Sequence, residues 1–312
     1  MRPMNEIPVV MLMGPTGAGK SAAALELARE FGCEIVNVDS AQVYRGMDIG
    51  TAKASPVERQ AVPHHLLDLC DPADAYSAAR FRADALAVID DIRARQRIPL
   101  LVGGTGLYFT ALLQGLSDLP AADPLIRAGL RAELEAFGSQ VLHARLTQVD
   151  PQTAARLHPN DPQRILRALE VHAQTGQPMS ALLADPAKSA PPFPTVAWVL
   201  APVTRENLHA RLAQRFHAML ERGFINEVAG LWSRGDLTAD MPALRAVGYR
   251  AVWQYLEGQT AYAEMVEQAI AATRQLAKRQ FTWFRGMTEV CWWNSDEAGL
   301  NGRLRQAFAK LL

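Results

Sequence analysis

The sequence predicts an α/β fold: a parallel sheet flanked by helices, with an all-helical insertion. Three observations predict it. A glycine-rich loop, Gly14–Ser21, follows an apolar run, Val9–Met13, and opens a helical pattern, Ser21–Phe31. Apolar runs and amphipathic stretches then alternate through the first third of the chain. From about Ala121 the pattern turns to helices alone, until an apolar run returns at Thr195–Leu200. The core is therefore read as residues 1–120 with 195–312, and the insertion as 121–194.

The first strand, Val9–Met13, delivers the chain into Gly14, Pro15, Thr16, Gly17, Ala18, Gly19, Lys20 and Ser21. Strand, glycine loop and helix form the context of a phosphate-binding loop, so the fold is P-loop NTPase-like. Glycines let backbone N–H groups converge on an anion, and the helix N-terminus adds partial positive charge. Lys20 adds a full charge, and the Ser21 hydroxyl is a candidate magnesium ligand.

A second strand is predicted at Glu34–Val38, ending on Asp39-Ser40. A loop through Gly46, Gly50 and Pro56 leads to a short apolar segment, His65–Leu69. A helix over Ser77–Gln96, a strand over Ile98–Val102 and a helix over Leu107–Leu113 follow. In such sheets ligands gather at the carboxyl ends of the strands, which is where Asp39 and Thr105 stand. In the insertion, Asp161 suits an N-cap, Pro162 the first helical position and Gly176 the C-cap of a helix over Gln163–Thr175. Asp185–Pro194 reads as a stiff linker. Beyond the strand Thr195–Leu200, helices are predicted at Arg205–Arg222, Phe224–Arg234 and Tyr262–Arg285.

Composition excludes several classes. With 49% hydrophobic and 21% charged residues the chain is globular, and a net charge of zero leaves no global field to draw it onto nucleic acid. Any such contact depends on local patches. Cys33, Cys70 and Cys291 are scattered, which suggests reduced thiols and a cytoplasmic setting and offers no zinc spacing. Neither a signal-peptide core nor a membrane-length apolar run is evident.

Asp39 beside a phosphate loop repels the anion and needs a reason. It can hold magnesium, take a proton from a nucleophile, or simply cap a turn. In Gly103-Gly104-Thr105-Gly106 the glycines permit close approach of a ligand and Thr105 can donate to a phosphate oxygen; a tight turn fits equally. His64-His65 makes a poor metal pair, so structural roles are expected. Leu66-Leu67-Asp68 is too short a match to a metal-binding strand end. Arg164 and Arg167 sit on the first turn of the insertion helix, where they can touch phosphate or form surface ion pairs, for example Arg167 with Glu170. Arg245 and Arg250 flank Gly248 and Tyr249, a mix that suits single-stranded nucleic acid. On the last long helix Arg274, Lys278 and Arg285 fall within about 40° of one another. Ile270, Ala277, Phe281 and Phe284 occupy the adjoining arc, and no acid lies between Ala269 and Gly286. A stripe of one sign hints at a polyanionic partner.

Six motifs, in order, carry a resemblance: Gly14–Ser21, Asp39–Lys53, Leu100–Tyr108, Asp161–Gly176, Arg245–Arg250 and Thr273–Arg285. The chain resembles the tRNA dimethylallyltransferases (tRNA isopentenyltransferases) over essentially its full length, in the bacterial form that lacks a C-terminal zinc finger. The resemblance implies transfer of a dimethylallyl group from dimethylallyl diphosphate to an adenosine in the tRNA anticodon stem-loop. The acceptor is the exocyclic amine at position 37, 3′ of the anticodon, in tRNAs reading codons that begin with U. It also implies magnesium and a monomer.

By the same resemblance Asp39 is the base, while Lys20, the loop N–H groups, Thr105 and magnesium on Ser21 stabilise the leaving diphosphate. Arg215 reaches the diphosphate too, although Arg211 and Arg222 lie close in sequence. Implied tRNA contacts include Asp39, Ser40, Ala41, Gln42, Thr105 and Arg127. In the insertion helix they are Gln163, Arg164, Ile165, Leu166 and Arg167. Arg245, Ala246, Val247, Gly248, Tyr249 and Arg250 follow. Lys278, Arg279, Gln280, Phe281, Thr282, Trp283, Phe284 and Arg285 complete the set. Other readings of the same loop are prenyl transfer to free AMP or ADP, a small-molecule kinase, and a nucleic-acid-binding switch without group transfer.

Overall fold

The computed structural model describes residues 6–115, 119–184 and 191–312. The chain forms two compact units, one of residues 1–112 with 191–312, the other Leu113–Ala190.

The larger unit holds a six-stranded sheet among its described residues. Its strands are β1 (Val9–Met13), β2 (Cys33–Val38), β3 (His64–His65), β4 (Ile98–Gly103), β5 (Thr195–Ala201) and β6 (Val290–Asn294). The order is β3-β2-β4-β1-β5-β6, and every pairing is parallel. β1 lies between β4 and β5, so all five of its residues are buried. That position explains its unbroken apolar run, since a strand covered on both faces needs no alternation. One face packs on the helices Lys20–Phe31 and Leu300–Ala309 through Leu12, Leu27, Leu100, Trp198 and Phe308. Phe308 stacks on Phe31 at 4.9 Å and meets Trp198 edge-on at 6.1 Å.

The close packing of strand ends demands two glycines. A Cβ on Gly14 would lie 2.1 Å from the Leu200 carbonyl oxygen, and one on Gly103 2.0 Å from that of Val38. Both are backbone atoms that cannot step aside, so no side chain fits.

Several elements depart from the sequence reading. A capped helix, Pro56–Ala61, stands where a loop is expected; Ser55 accepts from the Glu58 N–H and the Glu58 carboxylate accepts from the Ser55 N–H. The segment His65–Leu69 contributes only the end of a two-residue strand, because Leu66 and Asp68 take left-handed backbone angles. β6 and the helix Leu300–Ala309 have no counterpart in the sequence reading. Residues 185–190 of the expected linker lie outside the described residues.

The smaller unit comprises the helices Pro124–Val149, Pro151–Arg156, Pro162–Thr175 and Met179–Ala184. Its core gathers Leu130, Leu142, Leu146, Ile165, Ala168 and Leu169. The predicted caps are in place: Asp161 accepts from the Arg164 N–H at 3.3 Å, and Gly176 takes the left-handed conformation. Among the described residues no helix is long and apolar enough to cross a membrane.

Candidate active site

β1, β2 and β4 end side by side, and their loops build one site. After β1 the Gly14–Ser21 loop turns into a helix whose N-cap, Gly19, supplies no side-chain cap. The first helical N–H groups are left for an anion. Lys20 Nζ donates to the Pro15 carbonyl at 2.8 Å, so the lysine lies against its own loop. Burial pushes its pKa down to about 8; Asp39 opposes that shift and Arg215 adds to it. Burial also lowers the pKa of Arg215, again against the pull of Asp39. The three groups therefore share one electrostatic neighbourhood.

Asp39 follows β2. One carboxylate oxygen accepts from the Ala41 N–H at 2.9 Å, which shapes the turn. The other has no protein partner among the described residues. Thr105, after β4, accepts from the Ser40 N–H at 3.0 Å and donates its own N–H to Val38. Its hydroxyl ties the β4 turn to the β2 turn.

Two hollows meet here. The first, of about 360 Å³, is lined by the loop with Lys20 and Ser21, by Asp39, Gln42, Arg215 and Arg222, and by apolar Leu25, Ile35 and Val102. The second, of about 90 Å³, has walls of Phe216, Phe224, Ala246 and Val247. Asp39, Arg215 and Gln280 line both. Of the three arginines left open by sequence, Arg215 is the one at this junction. Arg222 reaches only the first hollow, and Arg211 is paired with Asp296.

Gln280 joins the two loops that bound the site. Its side-chain oxygen accepts from the Thr16 N–H at 2.9 Å and its amide donates to the Gly104 carbonyl at 2.8 Å. The sequence places Gln280 in a tRNA-contact segment; the structure gives it this bridging position. Lys53 is a residue that the sequence reading does not single out. Its buried ammonium donates to the Tyr44 carbonyl at 2.6 Å, Asp48 at 2.6 Å and Asp68 at 2.7 Å. Asp68 also takes Arg59 at 2.6 Å, which explains that carboxylate without a metal. Both histidines have hydrogen-bond partners: His64 binds the Val62 carbonyl and His65 binds Glu34, each at 2.7 Å, and His64 also lines the first hollow. No cluster of three or more His, Cys, Asp or Glu residues suited to a metal occurs among the described residues.

The expected tRNA contacts divide by exposure. Ser40, Gln163, Arg164, Arg245, Arg250, Lys278, Arg279, Thr282, Trp283 and Arg285 are exposed. Ala41, Gln42, Leu166, Ala246, Val247 and Phe281 are partly buried, and Gly248 is buried. Ile165, Tyr249 and Phe284 correct the sequence reading: all three are core side chains with no surface to offer an RNA. Segments matched as blocks include the residues that hold them in place. Arg127 and Arg167 converge on buried Glu170, at 2.8 and 3.2 Å. The basic stripe borders a further hollow of about 380 Å³, where Arg274, Lys278 and Arg285 face Arg205 and His209, and no acid lines it. Arg285 lies over the Phe281 ring.

Known proteins match this chain closely. A family model described as IPP transferase matches residues 42–287, and one described as Isopentenyl transferase matches residues 7–69. A tRNA dimethylallyltransferase of Burkholderia thailandensis is 61% identical, over 89% of this chain and 87% of its own. One from Halorhodospira halophila is 55% identical, over 93% and 94%. Among solved structures, the full-length tRNA isopentenylpyrophosphate transferase of Bacillus halodurans aligns with a TM-score of 0.71 at 35% identity, over 98% and 97%. A eukaryotic dimethylallyltransferase acting on tRNA aligns with a TM-score of 0.80 at 29% identity, over 96% of this chain and 77% of that one. With this sheet, this phosphate loop and these relatives, the chain belongs to the tRNA dimethylallyltransferase family of enzymes.

Proposed function

We propose that this enzyme transfers the dimethylallyl group of dimethylallyl diphosphate to the exocyclic amine of adenosine 37 in tRNAs reading codons that begin with U. One observation carries the reading: an aspartate with a free carboxylate oxygen stands where a cationic hollow meets an aromatic one.

The diphosphate occupies the first hollow, held by the N–H groups of Gly17–Ser21, by Lys20 and by Arg215. The adenine enters the second, extruded from its stack as base-modifying chemistry requires. The amine nitrogen forms a bond to the allylic carbon while the carbon–oxygen bond to diphosphate breaks. The nitrogen's proton passes to Asp39, because an amine whose electron pair is delocalised into the ring is a poor nucleophile until it is lost. Lys20 and Arg215 face the oxygens on which negative charge grows. Thr105 aligns the Asp39–Ser40 turn through its bond to the Ser40 N–H. The Ser21 hydroxyl, a hard oxygen donor that is exposed at the rim of the first hollow, is the residue that would hold a magnesium ion there. Such an ion would supply neutralising charge to the leaving group.

The acid-free basic hollow along the helix Tyr262–Arg285 favours a long polyanion over free AMP or ADP. The exposed Arg164 and Gln163 of the smaller unit are proposed as further tRNA contacts.

Labelled dimethylallyl diphosphate, magnesium and unmodified tRNA test the reading. Label is expected in the anticodon loop. Asp39→Asn keeps an oxygen for the Ala41 N–H but removes the base, so transfer falls about 10²–10⁴-fold with tRNA binding retained. Full activity in that variant would remove Asp39 from the chemistry. ATP consumption without prenyl transfer would favour the kinase.

A further inference from the structure

Glu227 lies outside every motif that the sequence displays, on the helix Phe224–Trp232. Yet its carboxylate collects four hydrogen bonds. Oε2 accepts from the N–H groups of Asp48 at 2.8 Å and Ile49 at 2.6 Å. Oε1 accepts from the Gly50 N–H at 3.0 Å and from the Tyr249 hydroxyl at 2.5 Å. Three successive backbone donors, 177–179 residues away in sequence, and a phenol thus close on two oxygens.

The segment so gripped carries no regular structure and forms part of the wall of the site. Gly50 and Thr51 line the aromatic hollow beside Asp39, and Thr51 lines the cationic one. The Thr51 carbonyl accepts from the Gln42 side chain at 3.1 Å, and Gln42 itself faces the first hollow. Gly50 lies so close to the helical layer that a Cβ there would meet Phe224 at 2.2 Å and Tyr249 at 2.6 Å. Lys53 fixes the far end through Asp48 and Asp68.

We infer that Glu227 is a positioning residue for the acceptor nucleoside: by holding the N–H groups of Asp48–Gly50 it sets the wall that Gly50, Thr51 and Gln42 present to the entering base. This rests on the proposed placement of adenine in the aromatic hollow. Glu227 touches no reactant; it acts through the loop. The arrangement also gives Tyr249 a function inside the core, as the fourth donor to that carboxylate. Burial and the neighbouring Glu227 charge raise the phenol's pKa, so it remains a donor across the neutral range.

A carboxylate is required, because all four partners donate. Glutamine has one acceptor oxygen, so Glu227→Gln turns an amide N–H₂ toward at least one backbone N–H that has no other partner for its proton; a partly buried polar group so mismatched costs on the order of a tenfold change. The test compares Glu227→Gln, Glu227→Asp and Tyr249→Phe with the unaltered enzyme, using an anticodon stem-loop and dimethylallyl diphosphate. In Glu227→Gln the KM for the stem-loop is expected to rise about tenfold while the KM for the diphosphate stays within twofold, because the phosphate loop makes no bond to Glu227. Glu227→Asp restores part of the loss. Tyr249→Phe, which leaves three of the four donors, gives a smaller rise and serves if the Gln variant fails to fold. Amide exchange at Asp48, Ile49 and Gly50 is expected to quicken in step. Equal rises in both KM values, or unchanged exchange with an unchanged KM, would overturn the inference. If the unaltered enzyme prenylates no stem-loop, the functional reading falls, and the exchange rates still decide whether Glu227 holds the loop.

Discussion

Raising the pH from about 7.5 to about 9.5 is expected to weaken the grip on an allylic diphosphate through Lys20. Burial lowers the Lys20 pKa to about 8. The lysine is then about three-quarters charged at the lower pH and only about 3% charged at the upper, so affinity that needs the ammonium falls about 25-fold. A bound diphosphate holds the proton on, so binding in this window takes up a proton. The sign for the unliganded protein is opposite. The unfolded chain keeps its proton up to the ordinary lysine value of 10.5, while the folded protein releases it near 8. Between those values the unfolded state binds more protons, so the contribution of Lys20 to stability rises with pH. Calorimetric titration of dimethylallyl diphosphate in two buffers of different ionisation enthalpy reads both affinity and proton uptake. Lys20→Met is expected to bind more weakly and without this pH dependence. An affinity that is flat across the window, or a slope that survives in Lys20→Met, would refute the argument.

Two further outcomes follow from the same geometry. Gln280→Leu keeps the volume but removes the bonds to Thr16 and Gly104; donor affinity measured by titration is expected to fall roughly 5–30-fold. Gln280→Glu fares worse, since it sets an acceptor against the Gly104 carbonyl and a charge beside the diphosphate; tighter donor binding in that variant would contradict the bridging position. In the basic hollow, Arg205→Ala with Arg274→Ala is expected to flatten the salt dependence of tRNA binding, by about 0.7–0.9 in log–log slope for each phosphate that is no longer neutralised. The KM for the donor stays unchanged, and an unaltered slope would take the backbone out of that hollow.

Legibility along the chain follows the range of the forces involved. β1 and the helix Tyr262–Arg285 have the bounds read from the sequence, because an apolar run after a polar start and a one-sided stripe are local patterns. The insertion helix is marked by Asp161, Pro162 and Gly176, each of which acts within one turn. The helix Pro56–Ala61 is read as loop from the sequence: its one local signal, Ser55 with Glu58 three residues on, is outweighed by the nearby glycines and proline. β6 is not legible either. Its five residues include exposed Cys291 and Trp292, and only pairing with the distant β5 makes them a strand.

The phosphate loop and the Asp39 turn are contiguous stretches whose backbone needs, glycine freedom and a helix start, are written in neighbouring residues. Local residue pattern was therefore enough for the fold class, the anion cradle and the carboxylate beside it. Folding in three dimensions was needed to put Arg215 at the junction of the hollows, to tie Gln280 and Glu227 to loops 176 or more residues away, and to turn Tyr249 and Phe284 inward. Hydrogen bonds across such separations depend on where the folded sheet and helices bring the backbone, and no local pattern of residue types encodes that meeting.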